Sequence, residues 1–310
     1  MNLFVSAELN QTQQVLLLAN LPAGFKTVFA AEMQEKEVLV ALRQAEIIFG
    51  NPPVQWLAGP LPALQFWQLD STGFHQYKDL DLSCTVANMG DFYAQACAET
   101  MVAGLLAFYR GIPTLVKLQE QKQWKGKLLR PNLELLSGKK VLVLGAGSIA
   151  QAIKKMLLGF GCQVWLSGRQ NPAADLLSYE AILEQLPMVQ IVINTLPGHL
   201  VHFVSADFFA NMADGSLYAS VGRGSTTDEA ALITALQNQK LAGAVLDVTE
   251  QEPLPAFSPL WDLENVLLTQ HTGGGQVLET EGKINRFLRN LDLFLAAKPV
   301  PDKVNLTQGY

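Results

Sequence analysis

Residues Val141-Leu142-Val143-Leu144 run without a break into Gly145-Ala146-Gly147-Ser148-Ile149-Ala150, and Gln151 to Phe160 continue with helical character. A strand, a glycine turn and a helix in that order leave few folds open. The first glycine permits a tight turn and the second lets backbone approach a pyrophosphate. The small third residue, here Ala150, lets the helix pack close to the strand. The helix N-terminus, at Ser148 and Ile149, then offers unsatisfied N–H groups and the positive end of its dipole to phosphate oxygens. Small residues also serve plain strand-to-helix packing, so the motif takes its meaning from what surrounds it.

The next apolar stretch, Cys162 to Leu166, ends in Ser167-Gly168-Arg169. An enzyme using NAD usually places an acidic residue there, on the adenosine ribose. That carboxylate is missing. A guanidinium at Arg169 can instead pair with a 2′-phosphate through charge-assisted hydrogen bonds, so the segment predicts NADP(H) as the preferred cofactor and NAD(H) as the alternative. The plain alternative for Arg169 is a surface side chain at a strand end.

A chain of 310 residues exceeds the usual single domain of about 100 to 200 residues, so two domains are expected. Hydrophobic residues make up 49% and charged residues 16%, enough apolar material to fill two cores and too little charge for a disordered chain. The net charge is -6 and no Lys/Arg run is present, which argues against nucleic acid as a partner. The longest apolar runs, such as Val15 to Ala19, fall far short of a membrane span. Cys84, Cys97 and Cys162 lack the paired spacing of a zinc site or a disulfide framework, so no metal is expected and a reducing compartment fits. Met1 to Ser6 carries neither a basic leader nor a signal-length apolar stretch, and a cytoplasmic protein is expected.

Short apolar runs alternate with turn-rich stretches over the first ninety residues: Leu3-Phe4-Val5, Val15 to Leu18, Glu37 to Leu42, Ile47-Ile48-Phe49 and Phe66 to Leu69. They predict a small α/β unit. From Phe92 to Arg110 the spacing of Met101, Val102, Leu105, Leu106 and Tyr109 predicts a long helix. Buried-looking strands then alternate with helices: Val141–Leu144, Val164–Leu166, Ile191–Ile193, Ser216–Val221, Gly243–Val248 and Val266–Thr269. That alternation predicts an α/β fold with a parallel sheet covered on both faces. Thr226 with Glu229 three residues on reads as a capping box, and Ile284 to Ala297 as a last amphipathic helix.

Three segments fall at the ends of those strands, the edge where open α/β sheets bind ligands. They are Val221-Gly222-Arg223-Gly224, Leu246 to Leu254 with Asp247, Glu250, Glu252 and Pro253, and Leu268-Thr269-Gln270-His271-Thr272-Gly273-Gly274-Gly275. An isolated Arg-Gly, Glu-Pro or His in a glycine loop carries no weight. Taken in this order behind the glycine turn, they resemble the D-isomer-specific 2-hydroxyacid dehydrogenases over nearly the whole chain, and the Ser167-Gly168-Arg169 ending resembles the NADP-preferring glyoxylate and hydroxypyruvate reductases.

The resemblance implies an oxidoreductase that moves a hydride from NADPH to a small 2-oxo acid to give the 2-hydroxy acid. Arg223 would hold the substrate carboxylate and its reacting 2-oxygen. His271 would be the acid/base, since an imidazole with an ordinary pKa of about 6.5 exchanges protons near neutrality. Glu252 would be its carboxylate partner by resemblance, with Glu250 on the same turn as the competing candidate. Asp247 would lie by the nicotinamide amide. Gly145, Gly147, Ser148, Ile149, Ser167, Arg169, Leu196, Pro197, Val221, Asp247, His271 and Gly274 make up the implied cofactor set. His199 and His202 lack such context and read as surface or interdomain residues.

The resemblance also implies a Rossmann-type doubly wound cofactor domain and a smaller, discontinuous flavodoxin-like substrate domain. Their limits would be 1–90, 91–283 and 284–310, with crossings at Val86-Ala87-Asn88 and near Lys283 to Asn290. Backbone amides of Thr72 and Gly73 would take the substrate carboxylate, although His75 stands where the family pattern continues to an aspartate. Glu99 reads as a structural hydrogen-bonding residue at the hinge. A homodimer through the cofactor domain is implied, with Trp124 either reaching the partner's site or simply packing. Two other readings stay open: a nucleotide-sensing binding protein or corepressor on the same scaffold, and a dehydrogenase of another small acid such as formate or phosphite.

Overall fold

The computed structural model describes residues 1–169 and 171–308. The chain divides into two compact units: one holds Met1–Tyr93 and returns from Gln276 onward, and the other holds Ala94–Gly275. The return comes at Gln276, ahead of the 284 read from sequence, and Gly309 and Tyr310 of the 284–310 segment lie outside the described residues. The first crossing likewise falls after Tyr93, because Val86-Ala87 belong to a strand of the first sheet.

In the first unit, β1 (Asn2–Val5), β2 (Lys26–Phe29), β3 (Ile47–Phe49), β4 (Phe66–Gln68) and β5 (Thr85–Ala87) form a parallel sheet in the order β2-β1-β3-β4-β5. This is the flavodoxin-like order. A short strand, Lys303–Val304, adds antiparallel to β5. The helix Glu279–Leu295 covers one face, with Phe287 stacked on Phe49 at 4.5 Å between ring centroids and Phe294 on Phe66 at 5.0 Å. Trp67, Tyr77, Val38 and Leu42 fill the other face. The helix's buried Asn290 donates to the buried Gln68 Oε1 at 2.8 Å, so its one inward polar group is satisfied.

The second unit contains β6 (Lys140–Leu144), β7 (Gln163–Ser167), β8 (Ile191–Asn194), β9 (Ser216–Ser220), β10 (Leu241–Leu246) and β11 (Val266–Leu268), all parallel in the order β7-β6-β8-β9-β10-β11. After β7, a single parallel bridge from Leu176 to Ser167 stands in for one more strand. Counting it gives the doubly wound Rossmann order, 3-2-1 followed by 4-5-6, with β11 added at the far edge. The order reverses between β6 and β8, and the crevice beyond their C-terminal ends is the ligand position of such sheets. The long helix after the first crossing spans Ala94–Tyr109 and buries Cys97, Ala98, Met101, Val102 and Leu105.

The capping box read at Thr226 does not form. The helix is Glu229–Gln237, its N-cap is Asp228, whose side chain accepts from the Ala231 N–H, and Thr226 sits in the preceding 3₁₀ turn. Thr226 is fully buried and its hydroxyl donates to the Arg223 carbonyl at 2.6 Å. Its hydroxyl is thus committed to holding the Arg223 turn.

Candidate active site

The glycine turn follows β6. Gly145 has φ +110, and a Cβ there would lie 2.5 Å from Thr195 Oγ1 beyond β8, so only glycine fits. A Cβ at Gly147 would meet nothing within 4 Å, which leaves the turn open on its outer side. The helix Ser148–Gly159 starts there, and its cap, Gly147, supplies no side-chain acceptor to the first-turn amides. Those amides and the dipole suit an anion. Ser167 is buried, and its hydroxyl accepts from the Gly145 N–H at 3.2 Å, so this side chain braces the turn. At Gly168 a Cβ would sit 3.3 Å from the Cβ atoms of both Ala146 and Ala174, a space too tight for an acidic side chain without displacement. Arg169 follows and is exposed.

Arg223 stands between two close approaches. A Cβ at Gly222 would be 2.6 Å from the Leu196 carbonyl oxygen, and one at Gly224 only 1.7 Å from the Thr249 carbonyl oxygen. The two glycines therefore press the arginine's turn against the chain leaving β8 on one side and the chain leaving β10 on the other. Thr226 accepts from Asn194 Nδ2 at 2.8 Å, and the Asn194 Oδ1 accepts from the Leu196 N–H at 2.9 Å. Tyr218 closes the cluster through Thr227 and Asn194. Burial pushes the Tyr218 hydroxyl up to about 12, so it stays a neutral donor. Leu196 and Val221 are buried at these strand ends, and Pro197 and Gly274 are half-buried.

His271 Nδ1 lies 2.5 Å from Glu252 Oε2, and Glu252 Oε1 accepts from the Thr249 N–H at 3.0 Å. Glu250 turns away and pairs with His202, Nε2 to Oε1 at 2.9 Å. The structure thus distinguishes the two carboxylates that sequence left open. His271 has φ +55, unusual for a side chain of this size, and its N–H donates to the Asp247 carbonyl at 2.6 Å. Asp247 is buried and its Oδ1 accepts from Thr269 Oγ1, the Thr272 N–H and the Gly273 N–H at 2.6, 3.1 and 2.9 Å. That carboxylate fixes the turn on which His271 rides. The pair borders a cavity of about 580 Å³ lined mainly by Leu246, Pro253, Leu254, Trp261 and Leu268. Among the described residues no group of three His, Cys, Asp or Glu side chains is placed to hold a metal ion.

The loop after β4, in the other unit, is held by its carbonyls. Ser71, Thr72 and Gly73 accept through their carbonyl oxygens from Met89 N–H, Asn88 Nδ2 and Ser71 Oγ, and Asn51 clamps Asp70 and Ser71. The N–H groups of Thr72 and Gly73 donate no hydrogen bond among the described residues. His75 opens a 3₁₀ turn, Glu99 accepts from Gln95 one helical turn before it, and Trp124 is fully exposed.

The family model described as D-isomer specific 2-hydroxyacid dehydrogenase, NAD binding domain, matches residues 102–273. The chain belongs to the D-isomer specific 2-hydroxyacid dehydrogenase family. Its matched span takes in the glycine turn, Arg223, Glu252 and His271. A Corynebacterium melassecola protein, named only as uncharacterized, is 32% identical over 72% of this chain and 75% of its own. The glyoxylate/hydroxypyruvate reductase A of Salmonella heidelberg is 28% identical over 68% of each chain. Among solved structures, a D-isomer specific 2-hydroxyacid dehydrogenase from Xanthobacter autotrophicus Py2, in complex with NADPH and MES, is similar at 26% identity and a TM-score of 0.83, covering 100% of this chain and 99% of that one.

Sequence reasoning missed several residues of this dehydrogenase's site region: Asn194, Thr226, Thr249 and Thr269, which hold the others in place, and the partner of His202. Each is a neutral side chain or an exposed pair whose spacing carries no chemical signature. The buried polar residue at the very end of β8 was the one available hint, because a polar group at a buried strand end must find partners.

Proposed function

We propose that the protein is an NADPH-linked reductase of a small 2-oxo acid, of the glyoxylate or hydroxypyruvate kind. The observation that carries this reading is the His271–Glu252 pair, beside an arginine turn on a dinucleotide-binding sheet. The similar Salmonella protein is named a glyoxylate/hydroxypyruvate reductase and the similar Xanthobacter structure holds NADPH, which supports the substrate class and the cofactor. No single helix among the described residues is long and apolar enough to cross a membrane.

The first-turn amides at Ser148 and Ile149, with Gly145 and Gly147, receive the pyrophosphate, and Arg169 takes the 2′-phosphate. Gly168, where a side chain would crowd Ala146 and Ala174, offers no carboxylate to compete for the ribose. Leu196, Pro197, Val221 and Gly274 line the nucleotide's path, and Asp247 Oδ2, which accepts from no group among the described residues, is left for its carboxamide. When bound, the nicotinamide supplies a hydride for C2 of the oxo acid. Arg223 draws the carbonyl oxygen's electrons toward its guanidinium, and His271 delivers a proton from Nε2 to that oxygen while Glu252 holds Nδ1. In the other unit, the amides of Thr72 and Gly73, which donate to nothing among the described residues, have the chemistry to bind a carboxylate.

The reading extends to assembly and compartment. Ile112, Leu115, Val116, Trp124, Leu128 and Leu135 are all exposed along one segment of the second unit, and a second copy of the chain would cover them as a homodimer. Cys84, Cys97 and Cys162 are free thiols, which suits the cytoplasm.

The test is a spectrophotometric panel of NADPH and NADH oxidation with glyoxylate, hydroxypyruvate, pyruvate and bulkier 2-oxo acids, on wild type and Arg169→Ala. Turnover with the small acids and a loss of NADPH preference in the variant, by about tenfold or more, are expected. Cofactor binding without turnover of any acid would overturn the enzyme reading. Equal use of both cofactors, unchanged by Arg169→Ala, would overturn the NADP assignment.

A further inference from the structure

His202 is exposed, as expected of a surface residue, yet its ring has a specific partner. It lies on the loop 197–203, has φ +51, and its N–H donates to the Ser225 carbonyl at 2.9 Å. Its ring reaches across to Glu250, Nε2 to Oε1 at 2.9 Å, on the turn that also carries Glu252. Glu250 is held from a third side, since its N–H donates to Glu229 Oε2 at 2.9 Å. Three elements therefore meet at Glu250: the loop after β8, the first residue of the helix Glu229–Gln237 that follows the Arg223 turn, and the turn bearing Glu252.

These turns also enclose Arg223. Ser225 Oγ donates to the Gly198 carbonyl at 3.0 Å, and a Cβ at Gly198 would lie 3.4 Å from Arg223 Cγ. The loop 197–203 is thus the wall behind the arginine side chain. It is stitched to the Arg223 turn by backbone bonds, including Val204 N–H to the Thr226 carbonyl at 3.0 Å and Asp228 N–H to the Val204 carbonyl at 2.9 Å. Its tie to the Glu252 turn is the His202–Glu250 bond.

Resting on the function proposed above, we infer that His202 is a positioning residue: by bonding to Glu250 it braces the wall behind Arg223, and it makes the affinity for the 2-oxo acid depend on pH. The groups facing its ring are acidic. Glu250 comes from the turn after β10 and Asp228 from the cap of the helix Glu229–Gln237, with Glu229 one bond further on; His199 is its neighbour on its own loop. The Glu250 hydrogen bond raises the His202 pKa above its ordinary value, with Glu250 and Asp228 adding their charge. The sign follows: the charge-assisted bond is present below that raised value and weakens to a neutral one as pH climbs through it. Both side chains are roughly half exposed, so the effect is small and falls on KM, with kcat unchanged.

The test compares wild type with His202→Leu, which removes the donor, and His202→Gln, which keeps a neutral donor at every pH. All three share His271, so ratios between them cancel its titration. The KM ratio of His202→Leu to wild type for the oxo acid should be about threefold at low pH and approach one at high pH. The ratio of His202→Leu to His202→Gln should stay constant across pH at the small value, close to one, that the first ratio reaches at high pH, and kcat should not change. A ratio of one throughout, a ratio that does not vary with pH, or a loss in kcat in place of KM would overturn the proposal. An NMR titration of the His202 ring needs no turnover and separates this inference from the proposed activity: Glu250→Gln should lower its pKa, and an unchanged titration would overturn the clamp.

Discussion

Gly224 has less room to change than any residue around Arg223. A Cβ there falls 1.7 Å from a backbone oxygen, and backbone cannot swing aside as a flexible side chain can. Gly224→Ala should destabilise the fold by about 1–3 kcal/mol and raise KM for the oxo acid, measured by urea denaturation and steady-state kinetics. A variant of unchanged stability would show that the two turns are not in fixed contact. Glu252→Gln keeps the shape and removes the charge facing His271, and kcat should fall by about ten- to a hundredfold with the fold intact. Glu250→Gln should leave kcat alone, because Glu250 faces His202. At this scale the sequence, by the fixed order of its motifs, offers Arg223 and His271 as candidates. It could not separate Glu250 from Glu252, which stand two apart on an irregular turn where periodicity gives no direction.

The strands of the second sheet were legible to within one residue at each end, except that Gly243–Val248 falls two residues earlier at Leu241–Leu246, because a parallel strand buried on both faces is largely apolar. The first sheet was less so. Its β2 is half-exposed along Lys26–Phe29, and β5 and the 303–304 strand are three and two residues long, too short for alternation to show. The start of the helix Glu279–Leu295 was hidden for a different reason. Its first residues, Glu279 to Lys283, are polar and contain Gly282, which packs against Phe92 where a Cβ would come within 2.6 Å. Thr226 and Asp228 show how two good caps in one segment mislead a pattern: the buried hydroxyl was taken by Arg223, and the cap fell to the next acceptor. Asp228→Ala should therefore cost about 1 kcal/mol in urea denaturation, the loss of one N-cap. Thr226→Val should cost more, about 1–3 kcal/mol, because it removes the nearest acceptor of the buried Asn194 amide and leaves that N–H only the 3.4 Å contact to Thr227. No cost from Asp228→Ala would restore the capping box.

For the whole molecule, the discontinuous chain path was legible from the order of its segments, while the positions of the crossings were not, since a crossing between units has no composition of its own. Assembly is open to a direct test. If the apolar segment from Ile112 to Leu135 is covered by a second copy, sedimentation equilibrium should give the mass of two 33.8 kDa chains, and Leu115→Asp should give one. A monomeric wild type would leave that surface unexplained by a dimer.

The proposed proton donor to the small 2-oxo acid is His271, held by Glu252. The rate of NADPH oxidation with saturating glyoxylate or hydroxypyruvate in wild type and His271→Ala, alongside NADPH binding followed by fluorescence, tests this role. Turnover in wild type, a loss of about 10²–10⁴-fold in the variant and cofactor binding retained in both are expected. Undiminished turnover in His271→Ala would contradict it.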